Sequence, residues 1–115
     1  MSYNVRVIGA DETNTTDGAK ADLLAVTGRA KLFTVTAYNN SGGTLYLQVH
    51  DSAAAAAEGA KPKLVTPVFD QMSGGFDFAD GTVFNLGIYI CWSSTDVTKT
   101  VAGATAGIID ASFRR

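Results

Sequence analysis

An all-β fold, a two-sheet β-sandwich of jelly-roll or immunoglobulin-like kind with about seven to eight strands and little helix, is what this sequence predicts. Three observations carry the prediction. Period-two alternation of apolar and polar residues recurs at short intervals, turn-forming residues separate the alternating runs, and the runs outnumber what one small open sheet with a wet face would hold. The length, 115 residues, suits a single domain, because two cores of half that size would each be marginal.

Residues 3–9, "YNVRVIG", read as a first strand and 10–18, "ADETNTTDG", as a polar loop. Over 19–28, "AKADLLAVTG" fits either a short helix ended by Gly28 or an extended arm presenting Leu23, Leu24 and Val26 to a partner, and periodicity over so few residues does not decide. The chain thus divides into an N-terminal strand or arm and loop, 1–29, with a role in assembly, and a sandwich, 30–115. In "LFTVTAY", Phe33, Val35 and Ala37 share one face. In "TLYLQVH", Leu45, Leu47 and Val49 point in, and Tyr46, Gln48 and His50 point out. The intervening "NNSGG" accepts positive φ cheaply, so the two read as a hairpin.

Five alanines, Ala53, Ala54, Ala55, Ala56 and Ala57, follow. A helix there has under two turns, its nucleation is poorly offset, and Gly59 and Pro62 stop it. The run is therefore expected to be a connection between sheets, with at most one helical turn capped by Asp51 or Ser52. Small uncharged side chains let another backbone approach closely, so the loop is expected to face a partner subunit.

"KLVTPVF" (63–69) is confined to an edge or a bulge because Pro67 lacks a backbone donor. "SGGFDFADG" (73–81) supplies a short extended piece. "TVFNLGIYICW" (82–92) reads as the strongest strand, with Phe84, Leu86, Ile88, Ile90 and Trp92 on one face and Val83, Tyr89 and Cys91 on the other, which places it mid-sheet. "SSTD" turns the chain, "VTKTVAG" (97–103) makes another short strand, and "GIIDASF" (107–113) alternates Ile109, Ala111 and Phe113 against Ile108, Asp110 and Ser112.

The chemistry-bearing residues form no motif. The one histidine, His50, precedes Asp51, but adjacent strand residues face opposite ways. The one cysteine, Cys91, lies mid-strand and reads as a small buried hydrophobe, which also excludes an internal disulfide and a paired-cysteine zinc site. An enzyme would need His50 and Cys91 together in an open cleft, and strand parity gives that no support. Asp11 with Glu12 and Asp77 with Asp80 lack calcium-loop spacing, while Asp17-Gly18 and Asp80-Gly81 suit turns. No catalytic residue, metal ligand or cofactor is therefore expected.

The net charge is −2 and the nine basic residues are scattered along the chain, which argues against nucleic acid as a partner. Only Arg114 and Arg115 form a basic doublet, read as a solvated tail. No signal-peptide core and no run of about 20 apolar residues is seen, so the chain is expected to be soluble where it is made and not membrane-bound. With 46% hydrophobic and 17% charged residues, its surface suits packing against neighbours.

The segments 36–52 ("TAYNNSGGTLYLQVHDS"), 58–68 ("EGAKPKLVTPV") and 76–100 ("FDFADGTVFNLGIYICWSSTDVTKT"), with the closing "DASFR", resemble a group of small structural proteins of tailed bacteriophages. That resemblance implies a virion component made in the bacterial cytoplasm. It would be a capsid decoration (cement) protein bound to the major capsid protein, or a head or tail accessory module, and a homo-oligomer, trimer before dimer. Trp92 stands where the group is expected to carry a smaller or polar residue. The alternative is a tail, fibre or baseplate module binding host carbohydrate through Trp92, Tyr46 or Tyr89.

Overall fold

The computed structural model describes residues 12–103 and 105–115. Among them run eight strands: β1 (Glu12–Thr15), β2 (Asp22–Thr27), β3 (Ala30–Asn39), β4 (Leu45–Asp51), β5 (Leu64–Val68), β6 (Ser73–Phe84), β7 (Gly87–Ser93) and β8 (Gly107–Arg114). They form two four-stranded antiparallel sheets, β1-β8-β3-β6 and β2-β7-β4-β5. Four of the pairs, β1 with β8, β2 with β7, β3 with β6 and β4 with β5, are those of one long hairpin rolled on itself. This is the jelly-roll order, so the two-sheet sandwich is present and the immunoglobulin-like alternative is set aside.

Alternation builds most of the core as expected, but in β3 a register shift at Phe33 puts Leu32, not Phe33, on the core face with Val35 and Ala37. Leu32, Val35 and Ala37 of β3, Leu47 and Val49 of β4, Ile88, Ile90 and Trp92 of β7, and Ile109, Ala111 and Phe113 of β8 meet between the sheets with at most 2% exposure. Trp92 is fully buried there against Gly107, where even an added Cβ would stand 2.9 Å from the indole. β7 is central and buried throughout, and β5, with Pro67, is an edge strand.

Several expectations are corrected. The first predicted strand, 3–9, lies outside the described residues. Part of the expected polar loop is β1, an edge strand whose Thr13 and Thr15 suit a pleated, half-wet surface. Residues 22–27 are neither helix nor arm but β2, paired with β7. A bulge between Leu24 and Val26 shifts the strand's period, so Leu23 and Val26 both turn to the core, a three-residue spacing that imitates a helix.

β3 and β4 are not a hairpin but an arch, one strand in each sheet. Asn39, fully buried, shapes it: its Nδ2 donates to the carbonyls of Gly43 and Val68, both at 2.8 Å, and its Oδ1 accepts from Ser41 N at 2.9 Å. The predicted strand 82–92 is broken at Asn85-Leu86, where the chain changes sheets and Leu86 is left 59% exposed. Asp51 holds the break, accepting from Asn85 N at 3.1 Å and Leu86 N at 2.8 Å. Residues 73–84 are one strand, β6, interrupted where the four residues Phe78–Gly81 stand opposite Phe33 alone. Residues 97–103 make no strand, only a single bridge from Val101 to Ser93. The alanine run is not helical, and it joins neighbours in the same sheet, β4 and β5, instead of connecting sheets.

Candidate functional site

The outward residues of β4 and β7 ought to meet water, and all but Tyr46 are shut away from it. Gln48, His50, Tyr89, Cys91 and Ser93 are each at most 3% exposed. Register places Gln48 opposite Cys91 and His50 opposite Tyr89, while Asp22 of β2 flanks Cys91 from the other side. Two loops roof this face: residues 52–63, which contain the alanines, and residues 94–103 after β7.

Gln48 ties the second loop down. Its Nε2 donates to the carbonyls of Thr95 (2.9 Å), Asp96 (3.2 Å) and Thr98 (2.9 Å). Its Oε1 therefore accepts, from His50 Nε2 at 3.0 Å and from the Cys91 thiol at 3.8 Å. That arrangement requires the proton on His50 Nε2. Tyr89 donates from its hydroxyl to Asp22 Oδ2 at 2.6 Å, and its ring lies 5.9 Å from that of His50.

Lys99 joins the two loops. It is 6% exposed, its Nζ sits 5.0 Å above the Tyr89 ring centroid, and the same ammonium donates to the carbonyl of Ala56. Along the backbone, Gly59 N donates to Lys99 O at 2.8 Å and Lys99 N to Ala60 O at 2.7 Å. The Glu58 carboxylate accepts from Val101 N at 3.1 Å. Gly59, at φ +84°, makes the turn that allows this zipper.

The electrostatics follow from the roofing. Burial lowers the pKa of His50, and the Lys99 charge lowers it further. Burial pushes the Cys91 thiol up to about 12, with Lys99 opposing and Asp22 and Glu58 adding. Tyr89 is raised by burial and by its bond to Asp22. Burial would raise Asp51, but the backbone donors of Leu86, Asn85 and Gly87 outweigh it, and the net direction is down. His50 and Cys91 are thus brought together through Gln48, as a neutral imidazole and a protonated thiol beneath a roof. The thiolate that a nucleophile requires is disfavoured in this setting.

The other sheet is different. Its outward face presents Thr34, Thr36 and Tyr38 of β3 across from Ser112, Asp110 and Ile108 of β8, and Asp77, Gly75 and Ser73 of β6. Thr34 Oγ1 and Ser112 Oγ share a hydrogen bond, Thr15 Oγ1 donates to Asp110, and Tyr38 donates to Gln71 Oε1 at 2.8 Å. Among the described residues no loop roofs it: Thr36, Asp77, Asp110 and Ile108 are exposed.

The expected contact residues divide. Leu24 is 41% exposed on β2, Leu23 is half-buried against the core, and Val26, at 5%, is removed from any accessible surface. Ala53, Ala54, Ala55 and Ala57 are exposed and Ala56 is half-buried. Of the three rings considered for sugar stacking, Trp92 and Tyr89 are buried and only Tyr46 is partly accessible. Sequence reading missed Gln48 and Lys99. Their signal was chemical type: a glutamine on a strand's polar face and a lysine in a loop look solvated until the loop's path is known.

Among the described residues, fold and site define a jelly-roll β-sandwich with one exterior face roofed by its own loops and the other open. The chain matches no protein-family model, no curated protein and no solved structure.

Proposed function

We propose that the protein is a structural component of a tailed-bacteriophage particle, a capsid decoration protein that stabilises the shell by binding the major capsid protein. One observation carries the reading most: the open face of the β1-β8-β3-β6 sheet. Its centre is made of the Thr34, Thr36 and Ser112 hydroxyls with Tyr38, Ile108 and the carboxylates of Asp77 and Asp110, mostly short side chains with little entropy to lose on contact with another protein. The roofed face supports it as well, since the chain's histidine and cysteine are both bonded to Gln48, the side chain that ties down the loop. Self-association into a trimer, or a dimer, would add the symmetry that binding a symmetric shell exploits.

The test is sedimentation of the purified protein with shells assembled from the major capsid protein of the same phage, followed by electron microscopy. Saturating, symmetric occupancy is expected, with an oligomer in solution by analytical ultracentrifugation. A protein that stays in the supernatant and is absent from purified particles would sink the reading.

A further inference from the structure

The basic residues, scattered in sequence, are gathered in space. Arg29, Lys31, Arg114 and Arg115, four of the nine, surround one concavity of about 420 Å³ at the end of the open sheet, together with Ala30 and Phe33. Arg114 is therefore not part of a solvated tail: it lies on β8 directly across from Lys31 on β3. Like charges opposite each other on neighbouring strands destabilise the pair, so this register has a cost that a neutral residue at either position would avoid.

Among the described residues neutralisation is incomplete: the single ion pair is Arg115 Nε with Glu12 Oε2 at 3.2 Å, and none of their carboxylates lies within 4 Å of Arg29, Lys31 or Arg114. The floor is a fixed aromatic ring. Phe33 is 4% exposed yet stands outside the main core cluster. It rests over Gly81, where an added Cβ would lie 3.1 Å from the ring. Gly81 has φ +79°, a conformation that favours glycine and keeps this ring seat open.

We infer that this pocket is an oxyanion-binding site, taking a carboxylate or phosphate group between the Arg29, Lys31 and Arg114 side chains above the edge of Phe33. Guanidinium groups match both anions with paired N–H donors, and a concave setting strengthens the attraction relative to an open surface. The inference goes beyond the proposed assembly role and does not depend on it.

The test follows backbone amide NMR shifts and thermal melting with inorganic phosphate and, separately, benzoate, each against sodium chloride of equal ionic strength. Saturable shifts at Ala30, Lys31, Phe33 and Arg114 are expected with at least one of the two anions. A response to phosphate alone assigns a phosphate, and a response to benzoate assigns a carboxylate with an apolar body. The double variant Lys31→Gln/Arg114→Gln should bind about tenfold more weakly or worse, yet melt no lower than wild type without anion, because the opposed charges are gone. A simple structural pair would not show that divergence. If the double variant fails to fold, Arg29→Gln, in the turn before β3, must show the same loss of binding. Wild-type shifts no larger than those with chloride, or variants that bind as wild type does, would overturn the assignment.

Discussion

The two exterior faces of this sandwich start from the same alternation and end in opposite environments. On β4 and β7 the outward residues Gln48, His50, Tyr89, Cys91 and Ser93 are buried under loops and only Tyr46, at the end of β4, is half-buried; on β3 and β8 they include Lys31, Thr36, Asp110 and Arg114, all exposed. The difference lies in the kind of polarity. The sealed face uses side chains that can both donate and accept, or that are neutral when buried, and its one buried ammonium comes from the loop that covers it. The open face uses full charges and hydroxyls that remain hydrated. Period two tells which residues leave the core, and the charge among those residues tells whether water or chain meets them.

The largest test of this contrast is Gln48→Ala. It would leave the Thr95 and Asp96 carbonyls and the His50 N–H without their side-chain partner, and the Thr98 carbonyl with only its hydroxyl donors, and a loss of about 3 kcal/mol is expected from denaturant unfolding. Hydrogen exchange should quicken across residues 94–100 while β3 and β8 keep their protection. A uniform loss of protection would mean that the roof and the sheets open as one unit.

Lys99→Ala is expected to cost about 2 kcal/mol, the range for a charged hydrogen bond plus a partly desolvated cation–ring contact. Lys99→Met should recover part of it, because the lysine stem covers Tyr89 by packing as well as by charge. If methionine is no better than alanine, the ammonium itself holds the roof.

Acid sharpens the contrast next. The folded state lowers the pKa of His50, so the unfolded chain binds the proton more readily near and below the ordinary value of 6.5. The stability that neutral His50 contributes is present above that pH and declines as pH falls through it towards the folded value. Melting temperature should drop between pH 7.5 and 5.5, and His50→Gln should flatten the drop. Asp51, lowered in the folded state, acts later: its contribution holds above about the ordinary carboxylate value and is lost in stronger acid.

The smallest stability effects belong to the exposed positions, and there the readout is assembly. Thr36→Lys, on the open face, should change stability by no more than about 0.5 kcal/mol yet abolish co-sedimentation with shells. Ala55→Glu, on the roof, should leave melting unchanged and weaken co-sedimentation less. The reverse ranking would move the principal contact from the open sheet to the alanine loop.

Much of the architecture was legible because its cause is local. Alternation in β3, β4, β7 and β8 placed the core, and Pro67 placed an edge. What failed was every inference about which strand lies beside which. "NNSGG" has the composition of a hairpin loop, but its course is set by Asn39 reaching Val68, 29 residues away. The break at Asn85-Leu86 is held by Asp51, 34 and 35 residues earlier. The sealed cluster was invisible for the same reason: His50 and Cys91 meet through Gln48 only once β4 and β7 pair, and no spacing within either strand shows it. The basic pocket likewise depends on the β3–β8 register.

The rolled-hairpin order also bears on how the molecule is made. β8 is an interior strand of its sheet, inserted between β1 and β3, and β7 is likewise inserted between β2 and β4. While a ribosome is still short of residue 107, β1 therefore lacks the one strand it pairs with among the described residues, and β3 has one bare edge. Topologies dominated by such distant pairings fold slowly, on the millisecond-to-second scale. Nascent chains should thus wait, unpaired and open to aggregation, until the last strand arrives to seat itself between the first and the third.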